Sequence, residues 1–207
     1  GGETTVRPSS VRKRAAALAA GRELFVDRGY ARTSVDAVAA RAGISKRTVY
    51  DYYRDKDGLF DAVLEEVATD LVELLRAAAA EELTSGRDLG EGLLAFARRV
   101  ATATFASSEY RLLRQLTRAG RPIRGHDPTE LDDLPVTLLT GRFRDLAGRG
   151  ELRAPDPRRA AQHFVALTFL LALDLTRAAP EGDLGPAGID AVLVDGVDAF
   201  LLSLIHI

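Results

Sequence analysis

Two helical stretches, residues 33–42 and 46–53, stand on either side of Gly43, and neither is long enough to persist alone in water. Segments this short must lock onto one another and onto their neighbours, which restricts the local fold to a helix-turn-helix. The residues for locking are in place: Ala39 permits close approach, Gly43 supplies the turn, and Ile44 and Val49 plug the space between the helices. Tyr53 follows Val49 by about one helical turn and is expected to point inward with it. The second stretch carries no apolar stripe along one side. It bears Lys46, Arg47, Thr48, Tyr50 and Tyr52 instead.

Around this segment, proline and glycine punctuate helical patterns, and no period-two apolar run of useful length appears. Residues 1–10 lack apolar periodicity and read as a mobile arm. Val11 to Arg28 places Ala17, Leu18, Gly21, Leu24 and Phe25 on one face, with Gly29 as the stop. Thr33 and Asp36 form a capping box for the second helix, with Asp for the usual Glu. Ser45 caps the third helix, and Asp55 a long fourth one from Lys56 to about Glu82. Further helices are expected from Leu89 to Phe105, Ser108 to Ala119, Pro135 to Arg149, Asp156-Pro157 to Ala178, and Ala187 to Leu201, with residues 120–135 a loop. The fold class is therefore all-α, about nine helices: an N-terminal helix-turn-helix domain (11–55) and a larger helical domain (56–201).

The charge of the whole chain is −2, yet it is unevenly divided. Residues 1–60 carry twelve basic against seven acidic side chains; residues 61–207 carry sixteen against twenty-three. A basic head on an acidic body points to one face meeting a polyanion. There is no cysteine, and His126, His163 and His206 are too widely spaced for a short metal motif, so no cofactor is called for. The longest apolar stretch, Val165–Leu175, is interrupted by Thr168 and Asp174 and falls short of the roughly 20 residues of a membrane span. A soluble cytoplasmic protein is expected. Arginine outnumbers lysine twenty-five to three and asparagine is absent, a bias of GC-rich coding. Residues 202–207, Leu-Ser-Leu-Ile-His-Ile, read like a translated sequencing adaptor rather than a native end.

A helix that reads DNA presents its first turn to base edges and its flanks to phosphates. Ser45 at the N-cap leaves the amides of Lys46 and Arg47 facing outward, where the helix dipole favours an anion. Arg47 matches guanine, and Thr48 a thymine methyl or a phosphate. Tyr50 and Tyr52 offer hydroxyls to the backbone, and Thr33, Ser34 and Lys56 flank the pair of helices. Taken singly, Thr33 and Ser45 would be caps in any protein and Lys46 a solvated charge. Their concurrence within a basic head makes duplex DNA the expected partner.

The run ELFVDRGYARTSVDAVAARAGISKRTVYDYYRDKDGLF, residues 23–60, resembles the N-terminal domain of TetR-family (tetracycline-repressor-like) transcriptional regulators across nearly every fixed position of their pattern. The resemblance implies DNA contact from Thr33, Ser34, Lys46, Arg47, Thr48, Tyr50, Tyr52 and Lys56. Tyr52 stands where that pattern often has His, Asp51 is an unusual acid beside it, and Arg47 replaces a frequent Gly or Pro. DLGEGLLAFARRV and GELRAPDPRRAAQHFVAL resemble, more weakly, the AefR-like branch of the family's C-terminal domains.

For the larger domain, Val165–Leu175 is apolar nearly all round, which implies burial on two sides. Together with the last helix it offers a homodimer interface of Leu171, Leu175, Ile189, Val192, Leu193, Gly196, Val197 and Phe200, with Gly196 permitting close approach. Family resemblance favours this arrangement, as does the need of a palindrome reader for two heads roughly 34–36 Å apart. Phe96, Val100, Thr104, Phe105, Leu112, Leu116, Phe143, His163, Phe164 and Leu167 are the expected lining of a small-molecule effector pocket. The expected function is a ligand-responsive repressor released from a palindromic operator by a largely apolar effector; the alternative is an effector-blind dimer. No nucleophile elbow, phosphate loop or metal spacing argues for an enzyme.

Overall fold

In the computed structural model, which describes residues 8–179 and 184–205, every regular element is helical. The helices are α1 (Pro8–Arg28), α2 (Val35–Ala42), α3 (Lys46–Tyr53), α4 (Lys56–Glu82), α5 (Leu89–Thr104), α6 (Ser108–Arg118), α7 (Pro128–Gly148), α8 (Pro157–Val165), α9 (Leu171–Ala178) and α10 (Gly185–Ile205). A π-helical turn, Ala166–Leu170, joins α8 to α9, so the two run on as one rod and nine rods remain among the described residues. Of the expected N-terminal arm, residues 1–7 lie outside the described residues and the rest belong to α1. Leu202–Leu204 continue α10, and His206 and Ile207 lie outside the described residues.

The chain divides into two compact units. The first comprises the residues up to Thr69 together with Leu112–Pro128; the second is Asp70–Arg111 with Thr129 onward. In the first, α1, α2 and α3 pack on one another, and Ala17, Leu24, Phe25, Val38, Ala39, Val49, Tyr53, Leu59, Phe60 and Val63 are buried. Arg41 makes a two-point ion pair with Glu23, at 2.6 and 3.0 Å, that joins α2 to α1. The segment after α6, expected as a loop, is instead fastened along α4. Arg121 pairs with Asp61 at 2.9 Å and covers the Phe60 ring at 5.1 Å. Arg124 approaches Glu65 at 4.0 Å, and His126 meets Thr69 at 3.3 Å. Positions 61, 65 and 69 recur every four residues, which puts them on one face of α4.

The second unit closes on rings. Phe143 stacks on Phe200 at 5.7 Å, Phe164 meets Phe200 edge-on at 5.4 Å, and Phe96 lies within 6.4 Å of Phe164 and 6.2 Å of Phe169. The helix expected from Pro135 begins seven residues earlier, at Pro128, with Pro135 inside it. Proline suits a first helical position, but Leu131, Leu134 and Leu138 carry one apolar stripe across it. Burial of that stripe offsets the single hydrogen bond that Pro135 cannot donate.

The expected interface helix also turns inward. Leu193, Val197 and Phe200 are 1%, 3% and 0% exposed, and Gly196 is buried. A Cβ on Gly196 would lie 2.2 Å from the carbonyl oxygen of Leu167, so this glycine does permit close approach, but to the π turn of its own chain. These four residues are core and cannot face a second subunit. Of the expected interface, Leu171 and Leu175 are exposed, and Ile189 and Val192 are half-buried. Val165–Leu175 is buried on one side only, through Val165, Thr168, Phe169 and Ala172.

Candidate nucleic-acid interface

The geometry of the head is set by two serine caps and one glycine. Ser34 Oγ accepts from the Ala37 amide at 3.1 Å and opens α2, one residue later than the expected Thr33 cap. Gly43 stops that helix at φ 67°, and its N–H and that of Ile44 return to the carbonyls of Ala40 and Ala39. The left-handed conformation is one that only glycine takes without steric cost. Two residues on, Ser45 Oγ accepts from the Thr48 amide at 3.1 Å and lies 2.7 Å from the Thr48 hydroxyl. The amides of Lys46 and Arg47 are thereby left as the open end of α3.

Thr33 is not part of the surface. It is 2% exposed, and its hydroxyl reaches the carbonyls of Leu24 at 3.0 Å and Gly29 at 2.8 Å, fastening the α1–α2 connection. Burial and backbone bonding remove it from the set of phosphate contacts. The other predicted positions all lie in the first unit. Ser34, Ser45, Lys46, Arg47 and Tyr50 are exposed; Thr48, Tyr52 and Lys56 are half-buried. Arg47 has no ion pair among the described residues. Lys46 does: its Nζ lies 3.0 Å from Asp36 Oδ2 in the first turn of α2, and this hydrogen bond, reinforced by the carboxylate's charge, holds its proton more firmly than usual. Tyr52 Oη lies 3.1 Å from Ser10 Oγ on α1, and Lys56 Nζ sits 4.1 Å above the Tyr30 ring, whose hydroxyl donates to Asp57.

Matches to known proteins accord with this arrangement. Residues 17–63 match the family model of the bacterial regulatory proteins of the tetR family, and residues 91–203 that of the C-terminal domain of AefR-like transcriptional repressors. The chain belongs to the TetR family. Like its relatives, this TetR-family protein is a transcriptional regulator with a DNA-binding domain. It is 32% identical over 172 residues to the HTH-type transcriptional regulator YhgD of Bacillus subtilis, covering 79% of this chain and 83% of that one. It is 41% identical over 66 residues to the HTH-type transcriptional activator FasR of Mycolicibacterium smegmatis, a match that spans 32% of this chain and 30% of FasR. The fold is shared with a TetR-family regulator from Mesorhizobium loti (TM-score 0.76, 23% identity, 95% and 98% of the two chains). It is shared as well with SmeT, the repressor of the Stenotrophomonas maltophilia multidrug efflux pump SmeDEF (TM-score 0.64, 21% identity, 92% and 89%), a protein also known in complex with triclosan. No helix among the described residues is long and apolar enough to cross a membrane.

Three features of the head escaped the sequence pattern. Asp36 was read only as a helix-capping acid, because a contact to Lys46 ten residues away depends on how the turn folds. Arg54 and Arg14, which line a cleft with Tyr52, carried no motif. The one available signal for Arg54 was the two-residue connection, Arg54-Asp55, that separates α3 from α4.

The expected pocket residues do not form one set. Phe96, Phe143 and Phe164 are fully buried ring against ring, Val100 and Thr104 are buried, and Phe105 and Leu167 are half-buried. Leu112 and Leu116 fall in the first unit. His163 is exposed on α8, so it lines no interior. Helical phase explains that miss: with Ala160, Ala161 and Phe164 facing in, position 163 turns out.

Proposed function

We propose that the chain reads a palindromic DNA operator as a homodimer through α2 and α3, and leaves it when a small, largely apolar effector binds the second unit. The observation that carries the DNA contact is the exposed cationic start of α3. Arg47 stands without an ion pair among the described residues, beside Lys46, at a helix N-terminus whose cap is a serine. Base reading is assigned to Arg47 and Thr48, and phosphate contact to Ser34, Ser45, Lys46, Tyr50, Tyr52 and Lys56.

The second subunit is assigned to the outer side of the π turn and α9, where Leu170, Leu171 and Leu175 are 47%, 42% and 38% exposed. Large side chains left this open on neighbouring turns favour a partner of like chemistry. The effector is assigned to the aromatic cluster of Phe96, Phe105, Phe143, Phe164 and Phe169. Its threonines are already committed: Thr104, Thr140 and Thr168 each donate to a carbonyl one turn earlier at 2.7 Å. A site whose hydroxyls are so engaged favours an apolar guest, as triclosan is for SmeT. Such a guest acts by preferring one arrangement of the helices over another.

The deciding experiment is the double substitution Lys46→Ala with Arg47→Ala, assayed on duplex DNA from upstream of the chain's own gene at physiological salt. Loss of retention is expected. Unchanged binding by the double variant would falsify the assignment of α3 as the reading helix.

A further inference from the structure

Arg54 closes α3 in a conformation that arginine rarely adopts. Among the described residues it is the one non-glycine at positive φ, 65° with ψ −53°. The Asp55 amide donates back to the Tyr53 carbonyl at 2.7 Å, so residues 53–55 form a γ-turn of the strained, positive-φ kind. The turn itself asks nothing of the side chain. Glycine would make it without penalty, yet the position holds a long cation.

That cation meets no carboxylate among the described residues. Arg54 is exposed and has no hydrogen bond or ion pair from its side chain among the described residues, although Asp51, Asp55 and Asp57 are close in sequence. It lines a cleft of about 310 Å³ with Arg14 of α1 and Tyr52 of α3. Arg14 is exposed and likewise has no carboxylate partner, its guanidinium lying 5.8 Å from the Tyr53 ring. Three carboxylates share the cleft and keep their charge there: Asp55 accepts from the Gly58 amide at 2.7 Å, Asp57 accepts from Tyr30, and Asp61 pairs with Arg121 at 2.9 Å. Arg124, also at the cleft, approaches Glu65. Two guanidinium groups without a carboxylate partner among the described residues, one of them leaning on Tyr53, thus share a cleft with Tyr52 at the trailing end of the reading helix. There the duplex backbone passes if the leading end of that helix lies in the groove.

We propose that Arg54 and Arg14 clamp a DNA backbone phosphate beside Tyr52, and that the strained turn is retained because it places Arg54 at that phosphate. The proposal rests on the DNA reading of α3. It adds a phosphate contact beyond the open end of α3 and beyond the flanking residues Ser34 and Lys56. A phosphate contact is independent of sequence, so mixed-sequence duplex DNA is the probe, with affinity measured against salt concentration.

Each phosphate neutralised contributes about 0.9 to the slope of log affinity on log salt, which amounts to about eightfold in affinity at 0.1 M salt. Arg54→Gly relieves the backbone and is expected to melt no lower than the unsubstituted chain. It should nevertheless bind duplex more weakly, with a shallower slope, the full loss of about eightfold and about 0.9 in slope being reached when Arg14→Ala is added and the phosphate has neither arginine. Arg14→Ala should weaken binding in the same direction, and Arg54→Lys should keep the slope. A binding loss in a variant at least as stable as its parent cannot be a folding defect. Should Arg54→Gly melt lower, Arg14→Ala against Arg54→Lys decides by the same slope. If Arg54→Gly and Arg14→Ala bind with unaltered affinity and slope while Lys46→Ala/Arg47→Ala loses binding, the clamp is refuted and the reading helix stands. If the unsubstituted chain retains no duplex at any salt, the DNA reading itself falls.

Discussion

Thr33 offers a clean separation between a residue that holds the head together and one that touches DNA. Its hydroxyl has one proton, shared between the carbonyls of Leu24 at 3.0 Å and Gly29 at 2.8 Å, in a site 2% exposed. Thr33→Val keeps the shape and removes the donor. Leaving a buried carbonyl short of its partner costs about 1–3 kcal/mol. The added methyl returns at most about 0.8 kcal/mol. The net is about 0.2–2.2 kcal/mol, and for a chain of this size each kcal/mol moves the melting temperature by about 2–4 °C. A far-ultraviolet circular dichroism melt should therefore fall, by up to about 9 °C. Thr33→Ser, which keeps the hydroxyl, should recover most of the difference. Affinity for duplex DNA, measured well below the melt, should not change, nor should its salt slope. The reasoning fails if Thr33→Val melts with the parent and binds DNA more weakly with a shallower slope, because that pattern belongs to a hydroxyl on a phosphate.

Two further outcomes follow from close contacts elsewhere. Gly196→Ala places a methyl 2.2 Å from the Leu167 carbonyl, so α10 must move off the π turn. A loss of about 1–3 kcal/mol is expected from such overpacking, read as an earlier urea midpoint, and a midpoint equal to the parent's would contradict the packing described. Asp36→Asn frees Lys46 from an ion pair whose side chains are 49% and 69% exposed. Discounted for that exposure, the release should raise affinity for mixed-sequence duplex about two- to fivefold at low salt. Equal or weaker binding would show that Asp36 does not compete with phosphate.

Legibility in the sequence followed how local the determining interactions were. The short helices α2 and α3 could be bounded because their signals lie within a few residues: Ser45 three positions before the amide it caps, Gly43 at the stop, Asp55 three before Gly58. Asp156 with Pro157 opened α8 for the same reason. Errors arose where a distant partner decided. Thr33 and Ser34 are adjacent hydroxyls, each able to cap, and the choice between them depends on the carbonyls of Leu24 and Gly29 closing over the first. Pro135 reads as a helix start because its ring favours one, but the stripe from Leu131 to Leu138 prevails. Gly196, expected to let a second subunit come close, instead lets Leu167 of its own chain do so. Its neighbour could not be named, because a helix hydrophobic on more than one side does not say which side its own chain will claim.

The same division bears on how the charge of the head is used. Its surplus of cations is partly neutralised at the reading surface itself, by Asp36 on Lys46. Attraction to phosphate is the part of DNA binding that every sequence shares, and internal carboxylates weaken that part first. Contacts to base edges are short-ranged and survive it. A head that holds Lys46 on Asp36 until phosphate displaces it lowers its hold on every duplex site by about the same factor, so in the proposed reading the ratio between right and wrong sites rests on the base contacts of Arg47 and Thr48. Specificity is a difference of affinities. By this argument Asp36 sets how tightly the head holds any duplex, while under the proposed reading an operator should be sought by the base pairs opposite Arg47 and Thr48.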